Sequence, residues 1–153
     1  MINSEVKKYI DKSVLSWLAT VNELNEPNVS PKEVFTYDGE HTLLIANIAS
    51  PVSIKNIREN PNVCISFIDV FIQKGFKIKG TARVIEKKDA GFEKKAKLLT
   101  DLFTDNFPII SVIEVNVKKV DQIQAPSYFL YPEKTEQSQI ESAMKTYKVK
   151  PID

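Results

Sequence analysis

Two short segments stand out because they combine hydroxyls, a lysine and helix-start geometry. These are the groups that hold a phosphate in proteins. Segment 28–32 contains Ser30 and Lys32, whereas segment 46–57 places Ser50 and Ser53 around a helix that begins at Pro51. Either segment alone is weak evidence, because Ser-Pro-Lys is common in turns and Ser50 can simply cap its helix. Together they predict a local anion site.

The remaining reactive residue types offer little. His41 is the one histidine and follows a turn at 37–40, so neither a histidine-based metal site nor a Ser-His pair is expected. Cys64 lies in the apolar run 63–67 and is predicted to be a small buried thiol. No side chain stands out as an acid, base or nucleophile. Any redox chemistry would therefore belong to a cofactor.

Length and composition favour one domain, residues 1–153. The chain has 21 Lys and Arg against 20 Asp and Glu, a formal charge of +1, so no global field points to nucleic acid or a membrane. The N-terminus lacks the apolar core of a signal peptide, no apolar run reaches membrane-spanning length, and one cysteine cannot form an internal disulfide. We therefore expect a cytoplasmic protein with neither a nucleic-acid nor a membrane partner.

The hydrophobic periodicity predicts about six strands and several helices. Hairpin-length links favour antiparallel pairing, and an at least partly closed barrel removes free edges. Strands are expected at 16–21, 28–37, 42–48, 63–71, 75–84 and 109–123. Helices are expected after a cap at Asn3 or Ser4, at Ser50-Pro51, after a cap at Asp89 and after a cap at Thr135.

Three surfaces follow from these elements. Strand 75–84 places Lys77, Lys79, Thr81 and Arg83 on one face, predicted to be solvated or dimer-facing. The helix after Asp89 has an apolar stripe, predicted to cover the sheet, and a lysine face in solvent. The stripe is Phe92, Ala96, Leu99, Leu102 and Phe103, and the lysines are Lys94, Lys95 and Lys97. The tail 125–149 is expected to pack on the barrel or on a partner subunit.

In this order, the segments resemble the pyridoxamine 5'-phosphate oxidase-like family of FMN-binding proteins. The resemblance extends over nearly the whole chain, at 17–21, 27–32, 42–47, 56–61, 73–80 and 125–128. It implies a mainly β fold with peripheral helices, a six-stranded antiparallel split β-barrel. It also implies a homodimer with one FMN in each of two clefts at the subunit interface.

The same resemblance assigns roles to site residues. The FMN phosphate would meet Ser30, Lys32, Ser50 and Ser53. Strand 45–47, with Ala46 and Asn47, would run beside the flavin ring through its backbone, whereas Gln73, Lys74 and Gly75 would approach the polar edge of the ring. Ser127 and Tyr128 of the partner's tail are further candidates. Val52 stands where many relatives carry a lysine, so one phosphate cation is missing.

The function implied is an FMN-dependent oxidoreductase that passes electrons from a reduced nicotinamide, or another donor, to a small-molecule substrate. Strict pyridoxamine phosphate oxidase activity is disfavoured, because no second basic and aromatic cluster is found for the substrate phosphate. Alternatives are a flavin carrier or sensor without turnover, the same fold with a deazaflavin or haem, and an empty dimeric barrel. His41, as the one histidine, argues against histidine-ligated haem.

Overall fold

The computed structural model describes residues 1–102 and 108–152. In these ranges the chain forms seven strands and five helices. The strands are β1 (Ser16–Val21), β2 (Pro27–Lys32), β3 (Phe35–Asp38), β4 (Thr42–Asn47), β5 (Asn62–Asp69), β6 (Lys74–Glu86) and β7 (Ser111–Gln124). The helices are α1 (Ser4–Lys12), α2 (Pro51–Glu59), α3 (Phe92–Thr100), α4 (Ser127–Leu130) and α5 (Glu136–Tyr147). None of these helices is long and apolar enough to cross a membrane.

The strands form one antiparallel sheet in the order β2-β1-β5-β6-β7-β4-β3. The mainly β, antiparallel fold is confirmed, but the count of six strands is wrong, and the sheet is not closed. The predicted strand 28–37 is two strands, because the chain bends at Glu33 and Val34. β2 and β3 therefore lie at opposite edges of the sheet.

The two-residue link between β2 and β3 fixes the shape of the sheet. Three Cα–Cα steps of about 3.8 Å join Lys32 to Phe35, so the two sheet edges approach within about 11 Å. The sheet must curl until its edges nearly meet. No ladder joins β2 to β3 in the described residues, so the barrel is split at this point.

The sheet encloses one apolar core and carries a second on its other face. The inner core takes side chains from α1, α2 and most strands, whereas the second lies between α3 and the sheet. β4 contributes to both, since Leu43 and Ile45 enter the inner core and Leu44 and Ala46 face α3. This strand is therefore buried on both faces.

Helix α2 begins as the sequence predicts, with Ser50 in the N-cap position and Pro51 as the first helical residue. Ile54 and Ile57 are buried in the inner core. Asn56 is also buried and donates a hydrogen bond from Nδ2 to Thr20 Oγ1 of β1, at 3.0 Å. Apolar packing and one buried hydrogen bond thus fix α2 beside β1.

Several expectations about α3 are wrong. The helix begins after Gly91, which has φ +87°, and the Asp89 carboxylate instead accepts a hydrogen bond from the Glu86 N–H at 2.7 Å. Leu102 lies beyond the helix and is 61% exposed, whereas Phe103 lies outside the described residues. Lys95 is not on the solvent side, because its ammonium pairs with Glu114 and lies 3.8 Å from Asp38.

Smaller differences concern β5, Cys64 and the tail. β5 ends at Asp69 because the Asp69 carboxylate accepts the Phe71 N–H at 3.0 Å and starts a turn. Cys64 is half-buried rather than buried, since alternate residues of β5 face away from the core. Thr135 caps α5 as predicted, and Ala143 is buried, but Tyr147 is 55% exposed.

Candidate functional site

The four predicted phosphate ligands come together where β2 meets the start of α2. Lys32 Nζ donates hydrogen bonds to Ser30 Oγ at 2.6 Å and to Ser50 Oγ at 2.8 Å. The Ser30 and Ser53 hydroxyl oxygens lie 3.1 Å apart. Residues up to 23 positions apart therefore form one group of an ammonium and three hydroxyls, which we call the clamp.

Lys32 is the unusual member of the clamp, because it is only 5% exposed. Its ammonium contacts neutral hydroxyls, and no carboxylate of the described residues pairs with it. Burial lowers the pKa of Lys32, since the charged form loses hydration without gaining a counter-charge. Of the three ammonium N–H donors, two are used by serines. The clamp therefore favours an added anion.

The start of α2 adds backbone donors to the clamp. The expectation that Ser50 caps α2 through its side chain is wrong, because that hydroxyl accepts from Lys32 and no side chain caps the helix. The first N–H groups of a helix have no partner within it, and they lie at the positive end of the helix dipole. An anion beside Ser50 and Ser53 would meet these groups.

Ala46 and Asn47 lie at the end of β4, directly before the clamp. The Ala46 N–H donates to the Val34 carbonyl at 2.9 Å, and the Asn47 carbonyl accepts the Ile110 N–H at 2.9 Å. These backbone groups are thus already bonded within the chain. The Asn47 side chain is buried and turns toward Ser50 rather than toward open space.

Gln73 ends the turn after β5, and Lys74 and Gly75 are the first two residues of β6. We call these three residues, where the turn enters β6, the turn at 73–75. Residues of the tail already contact Lys74. Lys74 Nζ pairs with Glu136 at 2.8 Å and lies 4.3 Å from the Tyr128 ring centroid. The hydrogen bond that Lys74 donates to the Glu136 carboxylate raises the pKa of Lys74. At Gly75 a Cβ would lie 2.1 Å from the Phe67 carbonyl oxygen. Strand pairing alone therefore requires glycine there.

The turn at 73–75 does not meet the clamp within one chain. Lys32 lies on β2 and Lys74 on β6, with β1 and β5 between them. Neighbouring strands are about 4.8 Å apart, so the two lysines are separated by about 14 Å measured across the sheet. The structure thus unites the predicted phosphate residues and leaves the predicted ring-edge residues as a second, separate group.

Sequence reasoning missed the partners that support these residues. Ser111 and Thr20 are buried hydroxyls that bond Asn47 and Asn56. Glu136 and Tyr128 hold Lys74 from the tail. Each partner is at least 36 positions away along the chain. The one available signal was a polar residue bordering or interrupting an apolar strand, as at Ser111 and Thr20.

A cavity elsewhere in the described residues does not include the clamp. Its volume is about 770 Å³, and its lining includes Arg58, Arg83, Lys87 and Lys88 but no clamp residue. Arg58 and Arg83 are already paired with Glu86 and Glu114. Among the described residues, no three His, Cys, Asp or Glu side chains are grouped closely enough to hold a metal ion.

Residues 2–124 match the sequence model of a known family, pyridoxamine 5'-phosphate oxidase. The chain belongs to the pyridoxamine 5'-phosphate oxidase family. The matched region includes the clamp, all seven strands and the turn at 73–75, whereas α4 and α5 lie beyond it. No curated protein sequence matches the chain significantly.

Several solved structures share this fold. HupZ of Group A Streptococcus is 24% identical, with a TM-score of 0.71, covering 82% of this chain and 96% of its own. An FMN-binding protein of Syntrophomonas wolfei subsp. wolfei is 16% identical, with a TM-score of 0.67, covering 78% and 84%. HutZ, a haem storage protein of Vibrio cholerae, is 19% identical, with a TM-score of 0.63, covering 80% and 94%. An F420 reductase, 19% identical with a TM-score of 0.60, covers 78% and 98%. At these identities the likeness shows the fold, and members of this fold differ in ligand.

The buried, unpaired charge of Lys32 predicts a conflict between ligand binding and stability. Lys32→Met keeps the length of the side chain and removes the desolvated charge, so we expect the ligand-free protein to be stabilised by about 0.5–2 kcal/mol. Urea unfolding of both proteins, stripped of ligand, measures this. Lys55→Met, at an exposed position of α2, should change stability little. A clear loss of stability in Lys32→Met would contradict the interpretation.

Proposed function

We propose that this protein binds FMN through the clamp and acts as an FMN-dependent oxidoreductase on a small molecule. One observation carries the proposal: the Lys32 ammonium is buried among three hydroxyls at a helix start with no carboxylate beside it. A terminal phosphate supplies the missing negative charge and accepts from all these donors. A charge-assisted hydrogen bond of this kind is worth about 1.5–3 kcal/mol.

FMN is favoured over haem by the position of the one histidine. His41 is exposed on the turn between β3 and β4 and shares no contact with the clamp. A haem bound beside the clamp would need an axial ligand other than His41. A deazaflavin that carries a phosphate would fit the same clamp, and its absorption spectrum distinguishes it from FMN.

Val52 lowers the affinity that we expect for FMN. It lies in the first turn of α2 and is 54% exposed, so an apolar side chain stands beside the phosphate position. Lys32 alone then neutralises the phosphate. We expect FMN to bind less tightly than in relatives that carry a lysine at this position.

A homodimer would complete the site. Within one chain the clamp and the turn at 73–75 lie on separate parts of the sheet, and a flavin ring extending from the clamp needs another wall. The outer face of β1 and β2 exposes Trp17 and Val29, which are 45% and 58% exposed. Exposed apolar side chains on adjacent strands are typical of an interface. We propose that a second subunit covers this face and supplies the ring-edge groups Gln73, Lys74 and Gly75.

Catalysis by this protein would depend on the flavin more than on side chains. The clamp offers no carboxylate or imidazole, and Lys74 is held by Glu136. When bound, the flavin supplies the electron transfer. The second candidate function is therefore a flavin carrier or sensor without turnover, favoured by the same lack of an acid or base.

The clamp should distinguish FMN from riboflavin, which lacks the phosphate. We expect the purified protein to show two visible flavin bands with FMN. Lys32→Met should lower FMN affinity by about tenfold or more and change riboflavin affinity less than twofold. Fluorescence titration of both flavins measures the ratio, with Lys55→Met as the charge-matched control. Equal losses of affinity for the two flavins in Lys32→Met would show that the clamp does not bind the phosphate.

Turnover is tested by anaerobic mixing of the FMN-loaded protein with NADH and with NADPH. An oxidoreductase that takes electrons from nicotinamide should bleach its flavin absorption within seconds with at least one of them. Denatured protein with the same FMN gives the background rate. No bleaching above that background with either donor favours the carrier function.

The proposed dimer is tested at its outer face. Trp17→Glu places a charge on the exposed face of β1 without touching the inner core, so we expect a monomer that has lost FMN affinity. Sedimentation velocity gives the mass of both proteins, and Glu23→Gln on the exposed link before β2 serves as the control. A Trp17→Glu protein that remains dimeric shows that the interface lies elsewhere.

A further inference from the structure

Asn47 is the last residue of β4. Both the donor and the acceptor of its side-chain amide form hydrogen bonds inside the protein. Nδ2 donates to Ser111 Oγ at 2.8 Å, and Oδ1 accepts the Ser50 N–H at 3.2 Å. Asn47 and Ser111 are 6% and 1% exposed. The amide is held in one orientation, because turning it would place two donors, Nδ2 and the Ser50 N–H, against each other.

The bond from Asn47 to Ser50 places a clamp residue. Ser50 follows a bend at Ile48 and Ala49, and its hydroxyl is one of the two acceptors of the Lys32 ammonium. Its N–H is fixed by Asn47. This hydrogen bond ties the end of the bend to the last residue of β4. The position of the Ser50 hydroxyl therefore depends on the orientation of Asn47.

Ser111 in turn orients Asn47. It is the first residue of β7 and lies opposite Asn47 in the antiparallel register, so its hydroxyl faces the amide across the strand pair. Glu86 of β6 lies opposite Ser111 on the other side, which fixes the Ser111 backbone. A residue 64 positions from Asn47 thus completes a chain of contacts from β7 to Lys32.

We propose that Asn47 and Ser111 are positioning residues that set the preference of the clamp for a phosphate-bearing ligand. This inference rests on the proposed function of the clamp. Neither side chain touches the phosphate; they hold Ser50 and the first turn of α2 where the phosphate oxygens would lie. The Asn47 side chain is accordingly a support for the phosphate end of the site and not a contact of the flavin ring.

The test compares two buried hydrogen bonds that hold neighbouring elements. Ser111→Ala removes the acceptor of Asn47, and Thr20→Val removes the acceptor of Asn56 on the other side of α2. Both should destabilise the fold similarly. Only Ser111→Ala should lower the FMN-to-riboflavin affinity ratio, by about fivefold to tenfold. Asn47→Ala should lower it at least as much, and adding Ser111→Ala to Asn47→Ala should have no further effect.

Three results would overturn the proposal. The first is an equal loss of affinity for both flavins in Ser111→Ala, and the second is an FMN-to-riboflavin affinity ratio in Thr20→Val as low as that in Ser111→Ala. The third is independent effects of Asn47→Ala and Ser111→Ala in the double variant.

Inorganic phosphate separates this proposal from the FMN assignment. If the wild-type protein binds neither flavin, phosphate should still raise its melting temperature, less in Ser111→Ala and not in Lys32→Met. Equal shifts in wild type and Ser111→Ala would overturn the proposal on their own.

Discussion

The structure of this site depends on one desolvated ammonium. Lys32 gains two hydroxyl acceptors on folding and loses nearly all of its water, an exchange that leaves the charge itself uncompensated. Such a group is tolerated where it serves a ligand. The hydroxyls around it come from two elements that meet only because α2 packs on β1. The environment of the buried charge therefore depends on how β1, β2 and α2 pack together.

The split in the barrel gives the clamp its place. Lys32 is the last residue of β2, and after a link of two residues the chain enters β3 at the opposite edge of the sheet. Pro31 is tolerated in β2 because an edge strand has an unpaired side. The point where the sheet fails to close is thus where a backbone is free of ladder partners and where a ligand can approach.

Much of the fold and of the clamp could be predicted from the sequence, because local sequence signals determine them. The proline at the start of α2, the alternation of β6 and the paired Ser-Pro segments give the clamp and the strands that carry it. The break at Glu33 and Val34 was not predictable from periodicity, since both sides of it look like strand. Lys95, Ser111 and Glu136 were missed because their roles depend on partners brought near by the fold. Their side chains have no local pattern that distinguishes an ion pair or buried support from a solvated residue.

The burial of β4 on both faces has a consequence for how the molecule opens. Backbone amides on a strand covered by two cores exchange with solvent only through large-scale unfolding, whereas a half-exposed edge strand such as β2 opens locally at low cost. The clamp contains residues from both the slowly and the rapidly exchanging part of the sheet, since Ser50 lies beside the end of β4 and Lys32 lies on β2. A ligand held by both would extend the slow hydrogen exchange of the interior outward to the edge of the sheet.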